Sequence, residues 1–455
     1  MQLLCDYGEC MDAVVRLFRT ATSRILYSTF LCKMDTPLAT RAESLSMREL
    51  IAETLARGVR VTLLYNPGES YGNAPLREVM AALPPQCEVY TCVGNGRLHG
   101  WQALLTPHGV YSYMHQKFLL ADDSALLLGG CDVDEERQRW GHLNVKKYYW
   151  HDCGVLWEAQ PLPAMLLRFL CRKHTLHTSV PRPLVRGAAE SSALCYMIRT
   201  ARSSIHMEQQ MFISVPGRTC NGVGAALVDR VAAAHTSRTP FHAVIITNYT
   251  HPDEPALIAN FLYLLLAWSF LGMTRYAAEK HGLSPQTLDE HLLFAHLALP
   301  HGPVKVHSNL TIRDGGYALR SSSNLTDRSL SARPCDLELG LIFPDAARAQ
   351  QRLWRRYISS EGESEALDES KKEPLELEEP LELEEPLDPA AQFRAVQEER
   401  GALRNLSARM RADPLLRAFD TLAMARLLRA LHSHPIFGGR KRIAWRMRRG
   451  RKKKT

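Results

Sequence analysis

Apolar residues recur along the first 360 positions in two alternating rhythms, and these rhythms outline a layered α/β chain. Residues 11 to 22 (M-D-A-V-V-R-L-F-R-T-A-T) space their apolar positions three and four apart, which predicts a helix. Arg24 to Cys32 is a short, β-rich apolar run and predicts a strand. A second helix is predicted over 47–57, stopped by Gly58, and a second strand over 59–66. Glu88 to Val93 predicts a weaker strand. K-F-L-L-A and A-L-L-L-G then flank Asp122-Asp123-Ser124 as the arms of a hairpin. A strand over 148–156 and a helix over 163–174 complete the first half.

After Pro181-Arg182-Pro183 the order begins again, with a helix over 190–200, a strand over 204–213, a helix over 224–234 and a strand over 241–247. A second hairpin within 304–324 and an arginine-rich helix to about Tyr357 follow. The segment R-T-A-T-S-R-I-L-Y-S-T-F of the first half aligns with R-T-A-R-S-S-I-H-M-E-Q-Q of the second. The expected fold class is therefore α/β, with two similar lobes (residues 1–180 and 181–358) related by a pseudo-twofold axis. Ala256 to Met273 is apolar over 18 residues, about the minimum for a membrane span, but its place between two predicted strands favours a helix packed against the body.

Composition changes the picture mainly beyond residue 358. With 45% hydrophobic and 23% charged residues the chain has the balance of a soluble globular protein. Glu361 to Asp388, however, holds thirteen acidic residues against Lys371 and Lys372, so 359–390 is expected to be a solvated, disordered linker. Residues 391–438 read as a helical, arginine-rich segment, and 439–455 as a tail with ten basic residues between Arg440 and Lys454. Ile443, Trp445 and Met447 interleave those charges, a pattern suited to an anionic lipid surface, to nucleic acid or to nuclear import. The eleven cysteines form no C-x-x-C pair, and the amino terminus lacks the basic-then-apolar order of a secretory leader. A reducing compartment is expected: cytoplasm, peripheral at a membrane, or nucleus. Two of the four N-x-S/T sequons (Asn248, Asn309, Asn324, Asn405) fall inside the second hairpin motif, where a glycan would not fit.

The candidate chemistry lies at the two hairpins. His115 and Lys117 share one face of an extended segment, Asp122 follows in the turn, and Gly129-Gly130 and Asp132 close the motif. In the second half His307, Asn309 and Asp314 stand at the same spacing, followed by Ser321-Ser322 and Asn324. A histidine beside a lysine pairs a nucleophile or acid with a phosphate-binding cation. The aspartate can in principle fix an imidazole tautomer.

Two such sets in repeated lobes resemble the phospholipase D superfamily, over residues from about 10 to 355. The segments G-G-C-D with Arg137 and Trp140, W-H-D at 150–152, M-E-Q-Q-M-F-I-S at 207–214, and N-L-T-D-R-S with Asp336 and Glu338 are similar to the eukaryotic-type phospholipases. The resemblance implies an active site where the lobes meet and a two-step phosphodiester mechanism with no metal and no cofactor. It implies His115 as nucleophile, His307 as general acid and base, and Lys117 on the phosphoryl oxygens. Asn309, Asn324 and Asp132 would support the phosphate, Asp122 and Asp314 would orient the histidines, and Glu208 and Gln210 would back the site. Trp150-His151-Asp152 reads as structural support.

The implied substrate is a glycerophospholipid head-group ester at a membrane surface, cleaved by water or transferred to an alcohol. The departure is Asn309, which brings no charge. Losing one such contact costs about 2–4 kcal/mol, on the order of a hundred- to a thousandfold in rate. Lys305, on the same face, is the candidate replacement. Two other readings stay open: a nuclease of the same superfamily, and a catalytically impaired membrane or assembly factor.

Overall fold

The computed structural model describes residues 1–40, 44–65, 76–91, 114–144, 146–159, 161–170, 182–251, 256–332, 336–358 and 388–413. The expectations for the acidic stretch, the basic tail and the end of the 163–174 helix lie outside these residues. The strands of the amino-terminal half are β1 (Gln2–Leu4), β2 (Arg24–Thr29), β3 (Arg60–Tyr65), β4 (Glu88–Thr91), β5 (Phe118–Ala121), β6 (Ala125–Leu128), β7 (Tyr149–His151) and β8 (Gly154–Glu158). Those that follow are β9 (Leu184–Val185), β10 (Ser204–Gln209), β11 (His242–Thr247), β12 (Leu292–Leu299), β13 (Gly302–Val306), β14 (Leu310–Arg313), β15 (Tyr317–Ser321), β16 (Gly340–Pro344) and β17 (Leu403–Asn405).

The first sheet runs β4-β3-β2-β5-β6-β8-β1, and the second contains β12-β11-β10-β14-β15-β16-β9 in the corresponding order. In each, three strands are parallel and a hairpin joins antiparallel to the first of them. The repeat expected from sequence is thus present in the topology. The single strand expected over 148–156 is two strands. Its first half, β7, leaves the first lobe and pairs in parallel with β13, while β8 stays in the first sheet. This crossing brings Trp150-His151-Asp152 against the second lobe.

Side-chain alternation builds the layers. On β2, Ile25 and Tyr27 face a helical layer with Val14 and Phe18, whereas Leu26 joins Phe118, Leu120 and Leu128 in a core shared with the second sheet. The second sheet does the same: Ala243 and Ile245 face helices, and Val244 and Ile246 face the first sheet. The result is helix, sheet, sheet, helix, with each central strand buried on both faces.

Local signals set the helix ends. Ser46 and Glu49 form a reciprocal capping box on Met47–Ala56, and Asp6 caps Tyr7–Thr20. Among the described residues one helix, Ala256–His281, contains a stretch long and apolar enough to cross a membrane. It connects parallel strands β11 and β12, and Leu265, Ala267, Phe270 and Met273 are buried, as in a crossover helix of an α/β lobe. Of the segment expected over 391–438, the described residues to Asp413 pack on the second lobe. β17 pairs with β12, and Phe393, Val396, Leu406 and Met410 are buried against the second lobe.

Candidate active site

The strand ends that carry the histidines are held by the opposite lobe. Met114 bridges Leu337 in parallel and the His115 N–H donates to the Leu337 carbonyl at 2.8 Å. Correspondingly, Val306 pairs with His151 and the His307 N–H donates to the His151 carbonyl at 2.8 Å. One residue further on, each register sets a carboxylate beside an imidazole. His115 Nδ1 lies 2.9 Å from Glu338 Oε2, and His307 Nδ1 lies 2.8 Å from Asp152 Oδ2.

Those partners decide the tautomers. His115 Nδ1 faces the Glu338 carboxylate and, at 3.0 Å, the Ser322 carbonyl. Both are acceptors, so Nδ1 carries a proton and Nε2 is the nitrogen left to exchange one with a reactant. His307 Nδ1 is directed in the same way by Asp152, whose other oxygen accepts from Arg320 Nη2 at 2.9 Å. Arg320 reaches across from β15 over Gly129, where an added Cβ would stand 2.6 Å from the guanidinium, so the first motif needs glycine there. Burial acts to raise both carboxyls, but the neighbouring imidazoles and cations outweigh it and hold Glu338 and Asp152 below their ordinary values.

Asp122 and Asp314 do not orient the histidines. Asp122 takes the backbone N–H groups of Thr22, Ser23 and Arg24 at 2.8, 2.8 and 2.9 Å. Asp314 takes those of Arg202, Ser203 and Ser204 at 2.9, 2.8 and 2.9 Å. The reason is reach: each aspartate sits in the hairpin turn, seven residues and about 20 Å of extended chain from its histidine. With φ of 47° and 51° both occupy the left-handed region that Asp tolerates, and they staple the hairpin to the helix–strand loop before it.

Lys117 and Asp132 form the charged floor. Lys117, 1% exposed, places Nζ 3.6 Å from Asp132 Oδ2 and donates to the His115 carbonyl at 2.9 Å. Burial depresses its pKa, and Asp132 opposes that shift. Asp132 Oδ1 accepts from Thr29 Oγ1 and from the Phe30 and Leu31 N–H groups at 2.8, 2.7 and 3.1 Å, while Oδ2 is ion-paired with Arg137 Nη2 at 3.1 Å. The guanidinium carbon of Arg137 stands 4.7 Å from the centroid of the Trp150 ring, which packs on His307 with 5.0 Å between centroids.

Asn309 differs from Lys117 in backbone as well as charge. Its φ is 41°, a conformation Asn adopts more readily than Lys. Its Oδ1 accepts the Gln210 N–H at 3.0 Å and its Nδ2 donates to the Ser322 carbonyl at 3.4 Å, so the amide expected on the phosphate is turned to main chain. Among the described residues Asn324 Oδ1 is buried without a partner. Gln210 Oε1 is likewise unpartnered among these residues, and Gln210 lines a small cleft with Thr247, Asn248, His251 and Leu262.

Glu208 touches neither His115 nor His307. It lies between the sheets, accepting from His206 and His151 Nε2 at 2.8 Å each, from Tyr357 at 2.6 Å and from Ser308 at 2.5 Å, and so fixes the neighbours of Asp152 and His307. Glu208, His151 and Cys153 lie within 4.8 Å of one another, but the carboxylate oxygens are already occupied by these donors. Sequence reasoning missed Asp152, read as structural, and gave Glu338 no role. Their signals, W-H-D and D-L-E, were visible without any hint of which histidine each would meet.

No protein-family model matches the chain, and no curated protein does. Among solved structures it is similar to phosphatidylserine synthase from Haemophilus influenzae Rd KW20, at 13% identity and a TM-score of 0.48, covering 91% of this chain and 94% of that one. It is also similar to polyphosphate kinase from Porphyromonas gingivalis, at 11% identity and 0.44, covering 75% and 44%. A third likeness, to NucT from Helicobacter pylori, has 16% identity and 0.23, covering 30% and 76%. The functional reading rests on the site geometry.

Proposed function

We propose that this chain is a phospholipase D-type phosphodiesterase that cleaves or transfers the head group of a glycerophospholipid through a phosphohistidine, at a cytosolic membrane face. The observation that carries the reading is the reciprocal pair His115–Glu338 and His307–Asp152, each assembled from both lobes, with buried Lys117 beside it. Two imidazoles with Nδ1 tied to carboxylates are equipped for the two halves of one displacement.

In the first half, Nε2 of one histidine attacks phosphorus and the P–O bond to the leaving alcohol breaks. The other histidine gives that oxygen its proton. In the second half, the second histidine takes a proton from water or an acceptor alcohol, whose oxygen displaces the P–N bond. Burial, more than any charge, pushes His307 down to about 3, and Arg137 and Lys117 add to this against Asp152. His307 is therefore neutral at rest, as an attacking imidazole must be. On this reading His307 attacks and the more open His115 serves as acid and base, the reverse of the roles implied by the sequence resemblance.

The test gives full-length protein phosphatidylcholine vesicles with a primary alcohol and, separately, single-stranded DNA. Phosphatidyl-alcohol formed by the wild type and absent in His115→Ala and His307→Ala is the expected result. Cleavage of DNA alone would assign the site to nucleic acid, and inactivity on both substrates would leave a binding protein.

A further inference from the structure

The phosphoryl-transfer reading above, on which this inference rests, leaves a charge unaccounted for. A phosphodiester between the two histidines is anionic, and Asn309, uncharged and bonded to main chain through both Oδ1 and Nδ2, does not match it. Arg137 is placed to do so. It is 4% exposed, shares Asp132 Oδ2 with Lys117 at 3.1 and 3.6 Å, and lies over the Trp150 ring that packs on His307. Its guanidinium thus shares a carboxylate with the lysine of the first motif and a ring neighbour with the histidine of the second.

Two nitrogens of that guanidinium differ. Nη2 has the Asp132 carboxylate at ion-pair distance, whereas Nη1 is buried with no acceptor among the described residues. A buried donor in that state is destabilising, because it has given up water without gaining a partner, and an arriving phosphoryl oxygen would remove that cost while forming a charge-assisted hydrogen bond. Lys305, the replacement expected from sequence, lies 5.9 Å from the Trp150 centroid and is already engaged by another group.

We infer that Arg137 supplies the second phosphate-binding cation of this site, in place of the lysine absent at position 309, by offering Nη1 to a non-bridging phosphoryl oxygen. Asp132 then acts as a brake, because its single carboxylate holds both cations when no substrate is present. Its Oδ1 contacts to Thr29, Phe30 and Leu31 need only an acceptor, which an asparagine amide also provides.

The experiment measures inorganic phosphate binding to the full-length protein by titration calorimetry, for wild type, Lys117→Gln, Arg137→Gln, Arg137→Lys and Asp132→Asn. Arg137→Gln is expected to weaken binding on the order of ten- to a hundredfold, as Lys117→Gln does, with Arg137→Lys recovering most of the loss. Asp132→Asn is expected to tighten binding, and the gain is expected to shrink when Arg137→Gln is added to it, a coupling that a merely structural Arg137 would not produce. Wild-type affinity in Arg137→Gln, with loss in Lys117→Gln, overturns this inference and leaves the proposed site standing. Failure of the wild type to bind phosphate overturns both. If Arg137→Gln does not fold, the other variants decide: an unchanged affinity in Asp132→Asn, or a loss in Arg137→Lys as deep as in Lys117→Gln, overturns the inference.

Discussion

His115 and His307 make the same bond to opposite lobes, yet their surroundings differ. His307 is packed under Trp150 and close to two cations, and burial keeps it unprotonated, with its pKa near 3. His115 stands at the more open side, its side chain 13% exposed against 6% for His307. The difference is testable with a phosphodiester whose p-nitrophenolate leaving group departs without a proton. His115→Ala should release one equivalent of nitrophenol in a burst and then stall with phosphate on His307. His307→Ala should show neither burst nor adduct. On a natural ester, His115→Ala should lose on the order of 10²–10⁴ in rate, since the leaving alkoxide needs the acid. A burst in His307→Ala with none in His115→Ala would return the nucleophile to His115.

At the scale of elements, the helix Gly187–Thr200 carries an ionisable group into the base of the second motif. Glu190, in its first turn, is buried and accepts from Ser323 Oγ at 2.7 Å, and burial pushes its carboxyl up to about 8. An acid whose folded pKa exceeds its unfolded one adds stability below the unfolded value, near 4.5, and that contribution is lost as pH rises through 8. Glu190→Gln keeps the acceptor for Ser323 and removes the titration. It should leave the denaturation midpoint nearly unchanged at pH 3.5, below the unfolded value, and raise stability by roughly 2 kcal/mol or more at pH 9. An equal effect at both pH values would mean that packing, not charge, governs the position. Elements such as this helix were legible because their periodicity is local: the 3.6 and 2.0 rhythms predicted the order of each lobe and the repeat. The histidine partners were not, because Glu338 and Asp152 arrive on segments that pair with the other lobe, through Met114 with Leu337 and Val306 with His151. No local pattern encodes that register. Asp122 and Asp314 were legible as residues and misread as ligands of the imidazoles, since spacing along a strand says which face a side chain shares but not how far it reaches.

For the whole molecule, the acidic stretch is flanked in sequence by the helix Ala347–Ile358 and by Pro389–Gln397, which packs on the second lobe; the Ala402 N–H meets the Tyr357 carbonyl at 2.7 Å. Both ends of the thirteen-acid segment are therefore anchored to the same lobe, and the ten-base tail follows beyond Asp413. Opposite charges on one chain are expected to compete, so that the acidic stretch would weaken any attraction of the tail to an anionic bilayer, where each basic residue near the surface contributes about 1 kcal/mol. Cosedimentation with phosphatidylserine-containing vesicles should therefore show strong, salt-sensitive binding by the full chain and at least about a tenfold loss on truncation after Asp413. Replacing residues 361–387 with a neutral linker of equal length should do the opposite and tighten binding, because the tail loses its internal competitor. Vesicle binding that survives truncation at full strength would move the membrane contact to the folded body, and the tail would then be left to nucleic acid, whose binding the same truncation would abolish.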